Sequence, residues 1–274
     1  MLMKYFTYHL FLLGVSNFMV WLACQQAHSN TTPVIPPVAD TIVSTTPAKD
    51  TLDYILNLDY VMGRFDPSKR SDFMMVDSQY ADKQGMYLRK DAYEAFLAMY
   101  RHALKDGVQL QIKSATRNFY AQKTIWEGKW TGERLLEGGE NLAQTTPDPK
   151  ERALKILRFS SMPGSSRHHW GTDIDLNNLE NHWFEEGKGS DVYKWLQHNA
   201  SLYGFCQPYS ADRPYGYWEE RWHWSYMPVS VKLTKFAKEN LKNEMIDGFL
   251  GSETAPMIDI VNRYVLGINE ECIK

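Results

Sequence analysis

Residues 165–175, SSRHHWGTDID, hold two adjacent histidines, a glycine and two aspartates one residue apart. Imidazole nitrogens and carboxylate oxygens are common protein ligands of Zn2+, so the stretch raises metal chemistry. Gly171 breaks any helix running from the histidines, and the spacing reads as a turn feeding an extended segment. In that segment Ile174 and Leu176 face a core while Asp173 and Asp175 share the other side. Either aspartate could meet a metal held by His168 or His169. The residues alone leave that choice open, and solvated loops carry similar His and Asp pairs.

A second stretch, EERWHWSY at 219–226, adds to it. A regular strand turns Glu220, Trp222 and Trp224 one way and Arg221, His223 and Ser225 the other. A bend between Glu220 and His223 would aim both into one cleft. His223 would then complete a His, Asp, His set that leaves one tetrahedral zinc position open, as catalytic sites do. Glu220 would sit where a general base is needed. The same letters also suit a packed aromatic strand with surface carboxylates. A third stretch, SATRNFYAQ at 114–122, places Arg117 just past a strand, where a guanidinium suits bidentate capture of a carboxylate. The alternative is a solvated arginine in a helix-start loop.

Together the three stretches resemble a known family. SxHxxGxxxD (Ser166, His168, Gly171, Asp175), ExWH (Glu220, Trp222, His223) and SxxRxxxxQ (Ser114, Arg117, Gln122) are similar to the motifs of VanY-type zinc D-alanyl-D-alanine carboxypeptidases, in matching order. The likeness is firm over about 110–227 and looser over the rest of the domain. It implies one Zn2+ held by His168, Asp175 and His223, with Glu220 as base. It also implies that Arg117 contacts substrate and its polarised carbonyl, and that Gln122, Ser166 and Trp222 line the substrate pocket. His169 and Asp173 fall outside the signature. Many relatives carry a small apolar residue where this chain has Asp173, so its charge would tune the metal from behind a ligand or alter substrate preference. The activity implied is hydrolysis of the terminal D-Ala-D-Ala, or a related bond, of peptidoglycan stem peptides. L,D-carboxypeptidases, D,D-dipeptidases and cross-link endopeptidases fall within the same resemblance. A zinc-containing binding module of the Hedgehog type and a metal-free envelope protein are the other classes. Retention of Glu220 argues against the first, and metal analysis separates the second.

These side chains need a scaffold. Segment 90–106 puts Tyr93, Phe96, Leu97, Tyr100 and Leu104 at helical spacing and stops at Gly107. Residues 108–113 alternate Val108, Leu110 and Ile112 with polar residues, the pattern of a half-buried strand. Helices are expected over 119–130, 149–160 and 229–247, and another from a Ser190 cap through Tyr203 to a Gly204 stop. Further strands are expected at 172–177 and 222–227. The fold class expected is α+β, a small antiparallel sheet flanked by helices. The resemblance implies the Hedgehog/DD-peptidase-like version of it.

The formal net charge of −3 argues against a nucleic-acid binder. Aromatic residues crowd 183–226, either as core or as a cleft that stacks on sugars or packs against peptide. The opening MLMKYFTYHLFLLGVSNFMVWLAC has the form of a secretory signal over 1–24. Its Leu22-Ala23-Cys24 resembles a bacterial lipobox, with Trp21 where Leu is usual. This implies lipidation of Cys24 and a membrane anchor; plain secretion and a retained helix are the alternatives. Residues 25–51 are rich in Thr and Pro and read as a tether, leaving a domain at 52–274. The chain is thus expected to be exported to the cell envelope or periplasm. Cys206 and Cys272 either pair in that oxidising setting or serve as separate small core residues, since spacing does not give the distance between them.

Overall fold

The computed structural model describes residues 52–274. The expected signal at 1–24, Cys24 and the tether at 25–51 lie outside the described residues. Among the described residues, loops, short 3-10 turns and one π-helical turn join two short antiparallel sheets and eight α-helices. In chain order these are α1 (Leu58–Val61), β1 (Phe73–Met75), β2 (Tyr87–Arg89), α2 (Lys90–Lys105), β3 (Ile112–Ser114), α3 (Phe119–Thr131), α4 (Leu142–Thr145) and α5 (Pro149–Ile156). Then come β4 (Asp173–Leu176), α6 (Gly187–Asn199), β5 (Phe205–Cys206), β6 (His223–Tyr226), α7 (Met227–Asn240) and α8 (Thr254–Ile258). Strands β1 and β2 pair with each other, and the other four form a sheet in the order β3-β4-β6-β5. Every neighbouring pair in that sheet is antiparallel. The fold class is therefore α+β, with a small antiparallel sheet flanked by helices. Among the described residues, no helix is long and apolar enough to cross a membrane.

Register decides which side chains meet. Across β4 and β6, Asp173 faces Ser225, Ile174 faces Trp224, and Asp175 faces His223. Side chains alternate along each strand, so Ile174 and Trp224 point to one face and Asp173, Asp175, His223 and Ser225 to the other. All of them are buried, because β4 lies inside the sheet with both faces covered. A slip of one residue would send every polar group to the apolar face.

Most helices sit where periodicity placed them, with differences at their ends. Helix α3 starts at the Asn118 cap, whose side chain accepts from the Ala121 N–H, and stops at left-handed Gly132. Helix α6 begins at Gly187 rather than at a Ser190 cap, and Ser190 instead donates its own N–H to the Glu186 carbonyl. A 3-10 turn over Ala200–Tyr203 completes it before left-handed Gly204. Helix α5 ends at Ile156 instead of 160, and α7 ends at Asn240 because buried Leu241 turns extended. Leu104, which shares the helical spacing of the buried Tyr93 and Phe96, is 54% exposed at the end of α2.

The strand expected at 108–113 is the largest difference. Only Ile112–Ser114 forms β3. Upstream, Asn177 holds the chain instead of a ladder: its Nδ2 donates to the Gln109 carbonyl and its N–H to the Gln111 carbonyl. Leu110 and Ile112 are nonetheless buried, so the apolar alternation reports burial correctly without regular pairing. At the other end of the sheet, Cys206 of β5 is joined by a disulfide to Cys272 near the C-terminal end.

Candidate active site

The polar stretch 165–175 divides at Gly171. Residues Arg167–Trp170 form one 3-10 turn, Gly171 is left-handed at φ 75°, and β4 begins two residues later. A Cβ on Gly171 would lie 2.4 Å from the Phe73 ring, so neither the backbone angle nor the space accepts a side chain. The turn delivers His168 to the face of the sheet that carries Asp175 and His223. One donor atom from each of these three residues lies within 4.8 Å of the others. His168 Nε2 is 3.3 Å from Asp175 Oδ2, and His223 Nδ1 is 3.1 Å from Asp175 Oδ1.

The bend expected before His223 is present. Residues 221–222 form a turn, and the His223 N–H bonds back to the Glu220 carbonyl. A continuous strand would have put these side chains on opposite faces. Here Glu220 Oε2 lies 3.3 Å from His223 Nδ1.

Hydrogen bonds fix which ring nitrogens remain for a metal. His168 Nδ1 is 2.8 Å from the Ala115 carbonyl, which only accepts, so Nδ1 carries the proton and Nε2 keeps its lone pair. His223 Nε2 is 2.8 Å from Asp173 Oδ2, which leaves Nδ1 facing Asp175 and Glu220. His168 Nε2 and Asp175 Oδ1 are both buried without a hydrogen-bond partner. Such atoms are costly to bury unless something else satisfies them. Burial, and then Arg117, lower the His168 pKa against the pull of Asp175. Burial works to raise the Asp175 carboxyl, yet His168 and His223 hold it well below its usual range. Burial works against a charge on His223, but Asp173, Asp175 and Glu220 raise its pKa well above the ordinary imidazole value. A cation at Nδ1 is what this surrounding favours. The His168 Nε2 lone pair, one carboxylate, and His223 Nδ1 once a metal displaces its proton converge at a spacing that fits a divalent metal of the zinc type.

The site opens into a cavity of about 510 Å3. Its walls include Arg117, His168, Asp175, Glu220, Trp222 and His223, together with Tyr209 and Tyr217. Burial raises the Glu220 carboxyl above its ordinary range against the opposing pull of His223. Arg117 is pinned through its backbone: its N–H donates to the His168 carbonyl and its own carbonyl accepts from His169 Nδ1 at 2.6 Å. Gly164 N–H donates to His169 Nε2, so both ring nitrogens are occupied. Burial, with Arg117 nearby, accordingly holds the His169 pKa down to about 3. His169 is thus a clamp on the Arg117 segment and stands apart from the metal cluster.

Gln122 and Ser166 are buried and are not among the residues that line the cavity. Gln122 Nε2 donates to the carbonyl of Ser161, which does line the wall, so its contact with the cavity is indirect. Ser166 precedes the 3-10 turn, and its buried hydroxyl has no partner. Tyr209 and Tyr217 were not singled out individually from sequence, although both fall in the aromatic-rich segment. Arg167 was also missed. It is fully buried beside Asp173, with Nε 3.1 Å from Asp173 Oδ2, and lies 4.4 Å over the Trp170 ring. Removing either member of such a buried pair costs about 3–5 kcal/mol.

With this geometry in place, comparisons with known proteins place the chain. The family model for VanY, D-alanyl-D-alanine carboxypeptidase, matches residues 85–229, just over half of the 274. YodJ of Bacillus subtilis, which bears the name of a carboxypeptidase, is 29% identical over 196 residues, 68% of this chain and 63% of that protein. A D-alanyl-D-alanine carboxypeptidase of Enterococcus faecalis is 32% identical over 141 residues, 51% of this chain and 47% of that protein. The chain therefore spans less than two thirds of either relative. Among solved structures, VanYB in complex with D-alanine-D-alanine is 20% identical, with 64% of this chain and 87% of that one covered and a TM-score of 0.45. The match to the family model covers all three sequence stretches and the whole His168, Asp175, His223 and Glu220 cluster; the chain belongs to the VanY D-alanyl-D-alanine carboxypeptidase family.

Proposed function

We propose that this chain is a zinc peptidase that hydrolyses the terminal D-Ala-D-Ala, or a closely related, bond of peptidoglycan stem peptides. The observation that carries the reading is the convergence of His168 Nε2, Asp175 and His223 Nδ1 beside Glu220 in one cavity wall. In this reading His168, Asp175 and His223 hold one Zn2+, which when bound supplies Lewis acidity to a water and to the scissile carbonyl.

The chain's own residues do the rest. Glu220, buried and with a raised pKa, accepts the proton of the attacking water and returns it to the leaving amine. Its position three residues before His223, across a turn, keeps the carboxylate beside the ligand set. Arg117 lines the same cavity and its Nε is buried without a partner. Its guanidinium is suited to a substrate carboxylate or to the developing oxyanion. The clamp from His168 and His169 onto the Arg117 backbone fixes where that group starts. Trp222, Tyr209 and Tyr217 give the cavity apolar walls against which a short peptide packs.

The domain reading belongs to the same proposal. Residues 52–274 act as the peptidase domain, 25–51 as a tether, and 1–24 as an export signal ending at a lipidated Cys24, with the protein working in the cell envelope. Purified protein incubated with intact muropeptides tests the substrate. Mass spectrometry should show loss of a single C-terminal D-Ala from pentapeptide stems. Cleavage within cross-links, release of a dipeptide, or loss of D-Ala from tetrapeptide stems alone would contradict the D,D-carboxypeptidase assignment.

A further inference from the structure

Asp173 is the one carboxylate of the stretch 165–175 that the hydrolytic scheme leaves unused. Its carboxylate is completely buried and does not line the cavity, so it touches neither substrate nor water there. Both oxygens are nonetheless saturated. Oδ1 accepts from the Thr172 and Ser225 hydroxyls, each at 2.7 Å. Oδ2 accepts from Arg167 Nε at 3.1 Å and lies 2.8 Å from His223 Nε2. Arg167 is itself held, donating from Nη2 to Ser225 Oγ at 2.8 Å and from Nη1 to Thr234 Oγ1 on α7 at 3.0 Å. The guanidinium thus sets a paired opposite charge against the buried carboxylate.

This arrangement leaves Asp173 one free function, which is to receive the Nε2 proton of His223. With Nε2 committed to Asp173, the ring nitrogen left for a metal is Nδ1, which faces Asp175 and Glu220. The two histidines are therefore supported differently. His168 donates to a neutral backbone carbonyl and His223 to an anion. An anionic acceptor orients the ring more firmly and makes the opposite nitrogen more basic.

We propose that the buried Arg167–Asp173 pair is a positioning device for His223, setting its tautomer and its strength as a metal ligand. The inference rests on the zinc reading above and adds two residues to it, neither of which contacts substrate.

The test uses the full chain, Zn2+ as the probe, and the variant Asp173→Asn. The first measurement is the Zn2+ dissociation constant by competition with a chromophoric chelator. The second is the 15N–1H pattern of His223 in histidine-labelled, zinc-loaded protein. Asp173→Asn should weaken Zn2+ binding by roughly 10- to 100-fold and shift or broaden the His223 Nε2–H signal, while that of His168 stays in place. A dissociation constant within twofold of wild type, with an unchanged His223 signal, would overturn the proposal even if the melting temperature fell, because a purely structural pin predicts that combination. If Asp173→Asn does not fold, the double change Arg167→Met with Asp173→Ala removes both charges together, and the same two outcomes decide. Wild-type protein that takes up no Zn2+ overturns the zinc reading itself; normal uptake with an indifferent Asp173 overturns only the pairing.

Discussion

Asp175 and His223 face each other across neighbouring antiparallel strands, with Asp175 Oδ1 3.1 Å from His223 Nδ1. Forty-eight residues separate them in the chain, and sheet register alone brings them together. The third member of the cluster, His168, comes from the turn that feeds β4. The candidate metal centre is thus built on a rigid element with both faces buried, a setting that holds ligand geometry more tightly than a loop does.

In the proposed site Asp175 is the anionic donor, so Asp175→Asn should leave the fold intact and strip the metal. Zinc per chain measured by atomic emission after dialysis should fall from about one toward zero, with the far-UV circular dichroism unchanged. Full zinc retention in a folded Asp175→Asn protein would show that the ligand register is wrong.

Arg117 is expected to act on substrate and leave the metal alone. Arg117→Lys keeps the charge but loses the planar fork, and a lost hydrogen bond to a charged group is worth about 1.5–3 kcal/mol. The drop in kcat/KM on a D-Ala-D-Ala peptide should therefore be roughly 10- to 100-fold, with zinc content unaltered. An unchanged kcat/KM would remove Arg117 from the scheme.

The Cys206–Cys272 disulfide spans 66 residues. Closing a loop of that length restricts the unfolded chain by about 4 kcal/mol in the loop-entropy account. For a domain of this size the corresponding loss on reduction is roughly 10 °C in melting temperature. Cys206 lies opposite Ser225 at the edge of the sheet, next to the Asp173 network. Melting curves with and without reductant read this directly, and coincident curves would contradict it.

Asn118 supplies a smaller and more local check. Its side chain caps α3 immediately after Arg117. Asn118→Ala should cost about 1 kcal/mol of stability by denaturant unfolding, and no loss would argue that the cap is dispensable.

Much of this was legible in the sequence, for identifiable reasons. The strands at 173–176 and 223–226 announce themselves because apolar and polar residues alternate there, and the bend before His223 follows from requiring Glu220 and His223 to share a cleft. The failures are tertiary. Alternation at 108–113 marks burial, but the Asn177 side chain replaces ladder hydrogen bonds that no local pattern reveals. The end of α7 at Asn240 lacks a glycine or proline stop signal. Asp173 and Asp175 are chemically equivalent on paper. Only the fold shows Asp173 surrounded by Arg167, Thr172 and Ser225, with Asp175 turned toward His168 and His223. Likewise, the pairing of Cys206 with Cys272 needed a Cα separation of 5.7 Å that spacing does not encode.

The central claim is that His168, Asp175 and His223 hold the metal while Glu220 performs proton transfer. Its most direct test is Glu220→Ala, with zinc content and D-Ala release from a stem pentapeptide measured on the same preparation. The account predicts zinc retained at about one per chain and turnover lowered by roughly 100- to 10,000-fold, the range for losing a general base. Undiminished D-Ala release from the variant, with zinc in place, would contradict it.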